Sequence, residues 1–293
     1  MRYIDRLGNT SEKDSFQDKF LKALYTNVVG RALIQLLINP IVSKIGGRLL
    51  SSSASKILIK PFVKSNNIDL SKYEKQEFDS YNDFFIRKIK ENQRIINMDC
   101  KVLISPCDSK LSVYEIDENS HFFIKNTLYS TKSLLRDAKL ANRFQGGYAM
   151  IFRLTVDDYH RYCYIDDGVK TNNKFIQGVL HTVNPIANDI LPIYKENSRA
   201  YSILLSENFG HVLMMEVGAL MVGKIVNYHQ SRHVKKGQEK GRFEFGGSTV
   251  ILLFEKDKVI VDHDILVNTR NEYETVVKMG EKIGNSNIFS DIK

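Results

Sequence analysis

The chain has 293 residues, 43% of them hydrophobic, and a net charge of +8. That is enough apolar material for an ordered core in one large domain or two modest ones, and it excludes a disordered polymer. Residues 1–70 hold 11 Lys/Arg against 5 Asp/Glu and so carry most of the excess charge. A basic surface attracts anionic lipid and nucleic acid alike. With no tryptophan, no RNA-stacking motif and no zinc-finger spacing, the sequence favours lipid and no nucleic acid. Cys100, Cys107 and Cys163 are odd in number and lack C-x-x-C spacing. They point to neither a disulfide framework nor a metal site, and fit a reducing, cytosolic location.

In chain order, Met1 to Thr10 alternates charged and apolar residues and does not read as a secretory signal. Residues 11–64 predict helix: Phe16, Phe20, Leu24 and Val28 recur every fourth residue, with Ser11 or Ser15 to cap the start. The run from Val28 to Val42 is the most apolar, but Arg31, Gln35, Asn39 and Pro40 interrupt it, so no spanning helix is predicted. A second apolar and basic segment runs from Lys56 to Lys64. This front is either a helical subdomain packed on the core or an interfacial anchor, with its cations at anionic headgroups and its Leu, Ile and Phe in the acyl boundary.

Phe78-Asp-Ser-Tyr-Asn-Asp-Phe-Phe-Ile-Arg87 predicts a turn entering a short helix. From Val102 the pattern changes to short β-rich runs at 101–104, 110–116, 148–154, 212–217 and 250–254, separated by Gly, Asn and Asp clusters. Glycines in the run from Val217 to Val226 mark places where a strand bends or meets another backbone closely. The expected fold class is α+β, with a helical, membrane-associating N-terminal region over 1–70. A mostly antiparallel, β-rich catalytic body follows over 71–293.

Gly246-Gly247-Ser248-Thr249 lies between two apolar runs, 46 residues from the C-terminus counting Ser248. A serine after two glycines in a β-rich context can attack its own preceding carbonyl. The chain then breaks before Ser248, and elimination from the resulting ester can leave a pyruvoyl ketone, an electrophile that no unmodified side chain supplies. Glycine tolerates the strained backbone this requires. The hydroxyl needs an oriented base and donors for the oxyanion. Of seven histidines, His160 stands out, because it follows Asp157-Asp158-Tyr159 at the end of an apolar run and leads into Arg161. Asp108, in Ser105-Pro-Cys-Asp-Ser-Lys110, is the leading orienting carboxylate; its plainer reading is a turn residue.

Several ordered motifs resemble those of the phosphatidylserine decarboxylases, over roughly residues 70–265. They are Phe78 to Arg87, Ser105-Pro-Cys-Asp108, Asp158-Tyr-His-Arg161 with Asp167-Gly168, and Thr182-Val-Asn-Pro185. Glu196-Asn197 with Arg199, Val217-Gly-Ala-Leu-Met-Val-Gly-Lys224, and Lys236-Gly-Gln-Glu-Lys-Gly-Arg-Phe243 leading into Phe245-Gly-Gly-Ser-Thr249 complete the set. Two positions depart from the family pattern: Cys163 stands where a second histidine is usual, and Ser109 where glycine is usual. The base is then His160, the histidine that remains, with His181 in reserve; Cys163 reads as a small buried residue rather than a nucleophile.

The resemblance implies a proenzyme that cuts itself between Gly247 and Ser248 into a β chain, 1–247, and an α chain, 248–293, held together as a heterodimer, with further oligomerisation left open. It implies a covalent pyruvoyl cofactor from Ser248, no metal, and Schiff-base decarboxylation of phosphatidylserine in the bilayer to phosphatidylethanolamine. It also implies a peripheral location on the cytoplasmic face of the cell membrane. Two other readings compete: a non-catalytic lipid-binding protein, left uncut, and a pyruvoyl decarboxylase acting on a soluble amino acid.

Overall fold

The computed structural model describes residues 2–12, 40–124, 127–179, 181, 193–219, 224–244 and 248–287. The periodic Phe16, Phe20, Leu24 and Val28, the Ser15 cap, Thr182-Val-Asn-Pro185 and Gly246-Gly247 lie outside the described residues.

Two short strands, β1 (Arg2–Ile4) and β2 (Thr10–Glu12), open the chain. Helices follow at Pro40–Leu50, Ile59–Ser65 and Tyr81–Phe85, with a 3-10 segment at Ser53–Leu58. The body begins with β3 (Val102–Ile104), β4 (Ser109–Glu115), β5 (His121–Ile124), β6 (Thr127–Ser130) and β7 (Tyr148–Leu154). It continues with β8 (Arg161–Cys163), β9 (Gly168–Lys170), β10 (Lys174–Ile176), β11 (Arg199–Ser206) and β12 (Gly210–Val217). Next come β13 (Lys224–Asn227), β14 (Arg232–Val234), β15 (Glu239–Glu244) and β16 (Ser248–Phe254). Finally β17 (Val259–Val261), a helix at His263–Arg270, β18 (Glu274–Val277) and β19 (Lys282–Ser286) complete the described chain.

Eleven strands make one sheet, in the order β14-β9-β11-β12-β16-β7-β4-β18-β1-β2 with β10 beside β11. The triplets β13-β15-β8 and β17-β19-β3 form smaller sheets, and β5-β6 a hairpin. Among the described strand ladders only β1 on β18 is parallel. The architecture is the mostly antiparallel α+β class expected from the sequence.

β16 lies inside this sheet, bonded to β12 on one side and β7 on the other. Its alternate side chains enter two separate cores: Val250, Leu252 and Phe254 in one, Ile251 and Leu253 in the other. Burial on both faces explains why its sequence is a continuous apolar run rather than an alternating one.

Of the stretch expected to be helical, Pro40–Leu50, Ser53–Leu58 and Ile59–Ser65 are helical, and Ser11 and Glu12 are strand instead. Ser11 does not cap a helix; it pairs with Tyr3 in the β1–β2 hairpin. The Asp5 carboxylate accepts the Leu7 and Asn9 N–H groups and so fixes the turn, which Gly8 passes at φ +87. Because β1 pairs with β18, the first residues belong to the sheet of the body, across the division expected at residue 70. The helices from Ile59 to Phe85 pack on one another through Ile59, Phe78, Tyr81, Phe84 and Phe85, with Phe62 edge-on to Tyr81 and Phe84.

Arg153 on β7 and Glu274 on β18 reach across β4 to form a buried two-point ion pair, at 2.9 and 2.5 Å. Removing one partner leaves a charge buried and unpaired. Glu274→Ala is therefore expected to cost about 3–5 kcal/mol of stability, read as a lowered urea midpoint in a chain that also carries Ser248→Ala. An unchanged midpoint would show that water or another group compensates Arg153.

Candidate active site

Ser248 is the first residue of β16 and is fully buried, and its Oγ has no hydrogen-bond partner among the described residues. It pairs with Leu154, the last residue of β7, while its neighbour Thr249 pairs with Val217, the last of β12. The serine therefore sits where three adjacent strands end or begin.

Two paths bring His160 to that same end. It lies six residues after Leu154, the partner of Ser248. Its carbonyl also accepts the N–H of Phe243, five residues before Ser248, at 2.9 Å. The imidazole is buried against the Phe85 ring, with ring centroids 4.0 Å apart. Its Nδ1 lies 2.9 Å from the Asp158 carbonyl oxygen. A carbonyl only accepts, so Nδ1 carries the proton and Nε2 keeps its lone pair. Nε2 has no partner among the described residues. Burial is the main influence on this ring and pushes its pKa down from 6.5 to about 4, against the opposing pull of the Asp158 charge. The ring is thus neutral at pH 7 and able to accept a proton.

Asp108 does not make the orienting contact expected of it. Its carboxylate accepts two hydrogen bonds from Arg94, at 2.8 and 2.5 Å, and one from the Met279 N–H at 2.9 Å, while Lys278 stands 3.5 Å away. None of its hydrogen bonds goes to His160, whose Nδ1 is occupied by a main-chain carbonyl instead. Burial would raise the Asp108 carboxyl, but the Arg94 hydrogen bonds and the Lys278 and Arg94 charges outweigh it and hold the pKa below its ordinary value. Asp108 is thereby a fixed anion that ties the Arg94 loop and the segment after β18 to the head of β4.

His181 also converges on this end. Asn197 accepts the His181 N–H and donates to both the His181 and Gly218 carbonyls, each at 2.8 Å, and Gly218 directly follows β12. Burial lowers the His181 pKa. Cys163 is buried in β8, its N–H bonded to the Pro106 carbonyl, and burial raises its thiol pKa to about 12. It is a small buried residue rather than a nucleophile at neutral pH.

The sequence model described as phosphatidylserine decarboxylase matches residues 81–285. A Clostridium acetobutylicum protein named phosphatidylserine decarboxylase proenzyme 2 is 49% identical over 268 residues, 91% of this chain and 92% of that one. Proteins named phosphatidylserine decarboxylase proenzyme are 45% identical in Clostridium kluyveri, over 97% of this chain and 98% of that one. In Fusobacterium nucleatum the identity is 39%, over 97% of each. The chain belongs to the phosphatidylserine decarboxylase family.

Within this family member the glycines of Lys236-Gly-Gln-Glu-Lys-Gly-Arg have distinct tasks. Gly237 turns at φ +75, and a Cβ on Gly241 would stand 2.1 Å from the Val226 carbonyl oxygen, so only glycine fits between β13 and the Tyr162 ring. The lysine between them, Lys240, is fully buried. It donates to Glu216 at 2.6 Å and to Asn227 at 2.8 Å. Sequence reasoning misses this pair; a Lys in a Gly-rich motif reads as exposed, and only the pairing of β12 with β16 places Glu216 beside Val250. It also misses Arg94 as the partner of Asp108, and Lys110, which bonds Asp158 at 2.6 Å.

A histidine whose folded pKa lies below its unfolded value adds stability that is complete above about pH 6.5. As pH falls toward 4, the unfolded chain binds a proton that folded His160 refuses, so stability is lost across that window. The expected slope from this group is at most ~1.4 kcal/mol per pH unit. His160→Gln should flatten it in urea titrations between pH 4.5 and 6.5, and an identical slope in that variant would assign the loss to other groups.

Proposed function

We propose that this chain is a phosphatidylserine decarboxylase proenzyme that cuts itself between Gly247 and Ser248 and works through a pyruvoyl group derived from Ser248. The observation that carries the reading is the Ser248 hydroxyl, fully buried and without a partner among the described residues, at the sheet end where a neutral imidazole presents an Nε2 equally unpartnered among them. An isolated buried hydroxyl is unfavourable, and a part in the reaction accounts for its retention.

In the proposed sequence, Ser248 Oγ bonds to the Gly247 carbonyl carbon as His160 takes the hydroxyl proton. Collapse breaks the Gly247–Ser248 C–N bond, the proton passes to the departing amine, and the amide becomes an ester. Loss of the Ser248 α-proton then expels the Gly247 carboxylate, and hydrolysis of the resulting enamine releases ammonia and leaves the ketone. Once formed, that ketone supplies an electron sink for loss of carbon dioxide from an amino acid joined through its amine. The site suits the group: it is enclosed, and the strand that follows is apolar on both faces. His160 and His181 are the groups of this chain that would manage protons there.

The fold also supports a heterodimer that survives scission. The 46-residue α chain would contribute β16, bonded to β7 and β12, β18, bonded to β4 and β1, and β19, bonded to β3. Asp108 bonds Arg94 of the β chain and the Met279 N–H of the α chain.

Phosphatidylserine as substrate and a peripheral place on the cytoplasmic face of the cell membrane belong to the same proposal. Among the described residues no helix is long and apolar enough to cross a membrane. Ile45, Leu49, Ile57 and Leu58 are exposed, with Lys56 and Lys60 exposed nearby in sequence. The helices that carry these side chains pack onto the segment whose Phe85 covers His160. Such a surface suits anionic headgroups above an acyl boundary.

Two outcomes are expected. Denaturing electrophoresis and mass measurement should find fragments of 247 and 46 residues, the smaller with a blocked, ketone-bearing end, and Ser248→Ala should remain one chain without decarboxylase activity. A single uncut chain that decarboxylates phosphatidylserine overturns the reading. Lys56→Glu with Lys60→Glu should weaken sedimentation with anionic vesicles by about 1 kcal/mol per charge removed, and added salt should act in the same direction. Equal binding by wild type and variant would place the docking surface elsewhere.

A further inference from the structure

Lys110 lies on β4, two residues beyond Asp108. Its register partner is Arg153 on β7, and its side chain passes over the end of that strand. The ammonium donates to Thr155 Oγ1 and to Asp158 Oδ2, each at 2.6 Å. Asp158 Oδ2 also accepts the Thr155 N–H at 2.8 Å and the Thr155 hydroxyl at 2.9 Å, while the Asp158 N–H donates to the Thr155 carbonyl. The result is a closed turn, pinned by one buried cation, and the carbonyl of Asp158 projects from it onto His160 Nδ1. Arg87 Nη2 approaches the same carbonyl at 3.4 Å.

We propose that Lys110 is a positioning residue that keeps His160 neutral and in the tautomer with a free Nε2, by neutralising Asp158 and clamping the turn that carries the Asp158 carbonyl. The inference rests on reading His160 as the base for Ser248, but its test does not depend on that reaction. The sign of each neighbouring charge decides the effect. The charged groups around the ring are Asp158 and Asp157 on its own loop and Arg87, two residues beyond the helix whose Phe85 covers it. Lys110 from β4 and Lys278 after β18 act on Asp158. Arg87 repels a proton on the ring, and the two aspartates attract one. With Lys110 in place the nearer carboxylate is half of a buried ion pair. Without it, an uncompensated anion would stand two residues from the imidazole in a low-dielectric interior, and a proton on the ring would be the nearest relief.

The test titrates the histidine-labelled Ser248→Ala chain, which stays uncut, by NMR. Lys110→Gln is expected to raise the proton affinity of His160 by about tenfold or more, one unit of pH. Lys110→Arg, which keeps the charge, should stay within about threefold of the parent. The double variant Lys110→Gln/Asp158→Asn should return to the parent value or below. An unchanged midpoint in Lys110→Gln, an equal rise in Lys110→Arg, or a rise that persists in the double variant overturns the proposal.

Should Lys110→Gln fail to fold, Asp158→Asn with Lys110 retained reads the same coupling. At pH 4, where the parent ring is about half protonated, this variant should be mostly neutral; equal protonation sinks the idea. In chains that keep Ser248, Lys110→Gln should move the acid limb of the self-cleavage profile upward by the same interval. A purely structural loss would instead slow cutting at every pH. Normal self-cleavage by His160→Ala would refute the base role of His160 while leaving these titrations to stand or fall separately.

Discussion

A hydroxyl sealed away from water and without a partner is unfavourable, and at the head of its central strand the molecule keeps one that bonds nothing among the described residues. Ser248 is held there because β16 is bonded along both edges and buried on both faces, so the serine cannot turn outward to find a partner. The apolar run behind it fixes the depth and the register of the strand. The ends of β7 and β12 decide what surrounds it: the turn that leads to His160 leaves from one, and Gly218, bonded through Asn197 to His181, from the other.

The electrostatics of this end follow a common pattern. Each of four buried or nearly buried carboxylates has a cation of its own: Arg94 for Asp108, Lys110 for Asp158, Arg153 for Glu274 and Lys240 for Glu216. A buried ion pair seldom stabilises a fold strongly, but breaking one is strongly destabilising. At His160 desolvation, with the Arg87 charge acting in the same direction, outweighs the opposing pull of the neighbouring aspartates, and the ring's proton affinity falls. His160 is at the same time the contact point for the helical front, through Phe85 and through Arg87 at the Asp158 carbonyl.

Much of this is legible in the amino-acid sequence alone. The apolar runs at 148–154, 212–217 and 250–254 become β7, β12 and β16 with ends shifted by no more than two residues, because a buried strand needs continuous apolar side chains. Ser248 and His160 stand out from motif order. Partnership across long separations is what sequence does not reveal. Asp108 looks like a partner for histidine, yet Arg94 and the Met279 N–H take its oxygens, and nothing local distinguishes those outcomes. The β1–β2 hairpin escapes because strands of three residues show no period, and β1 finds its neighbour at Glu274 and Thr275, at the other end of the chain. Ser11 looks like a cap for the reason that it suits a hairpin: a short polar side chain beside a turn.

The interleaving of late and early strands bears on the lifetime a cleaved form would have. A continuous chain that unfolds can search again for its own contacts. If the proposed scission before β16 takes place, its two pieces would be joined only by non-covalent contacts, among them the Arg153–Glu274 ion pair and the Asp108–Met279 hydrogen bond, so recovery from any full opening would become a bimolecular encounter that dilution slows. Such a maturation would run in one direction only, and persistence would depend on how rarely the woven sheet comes apart.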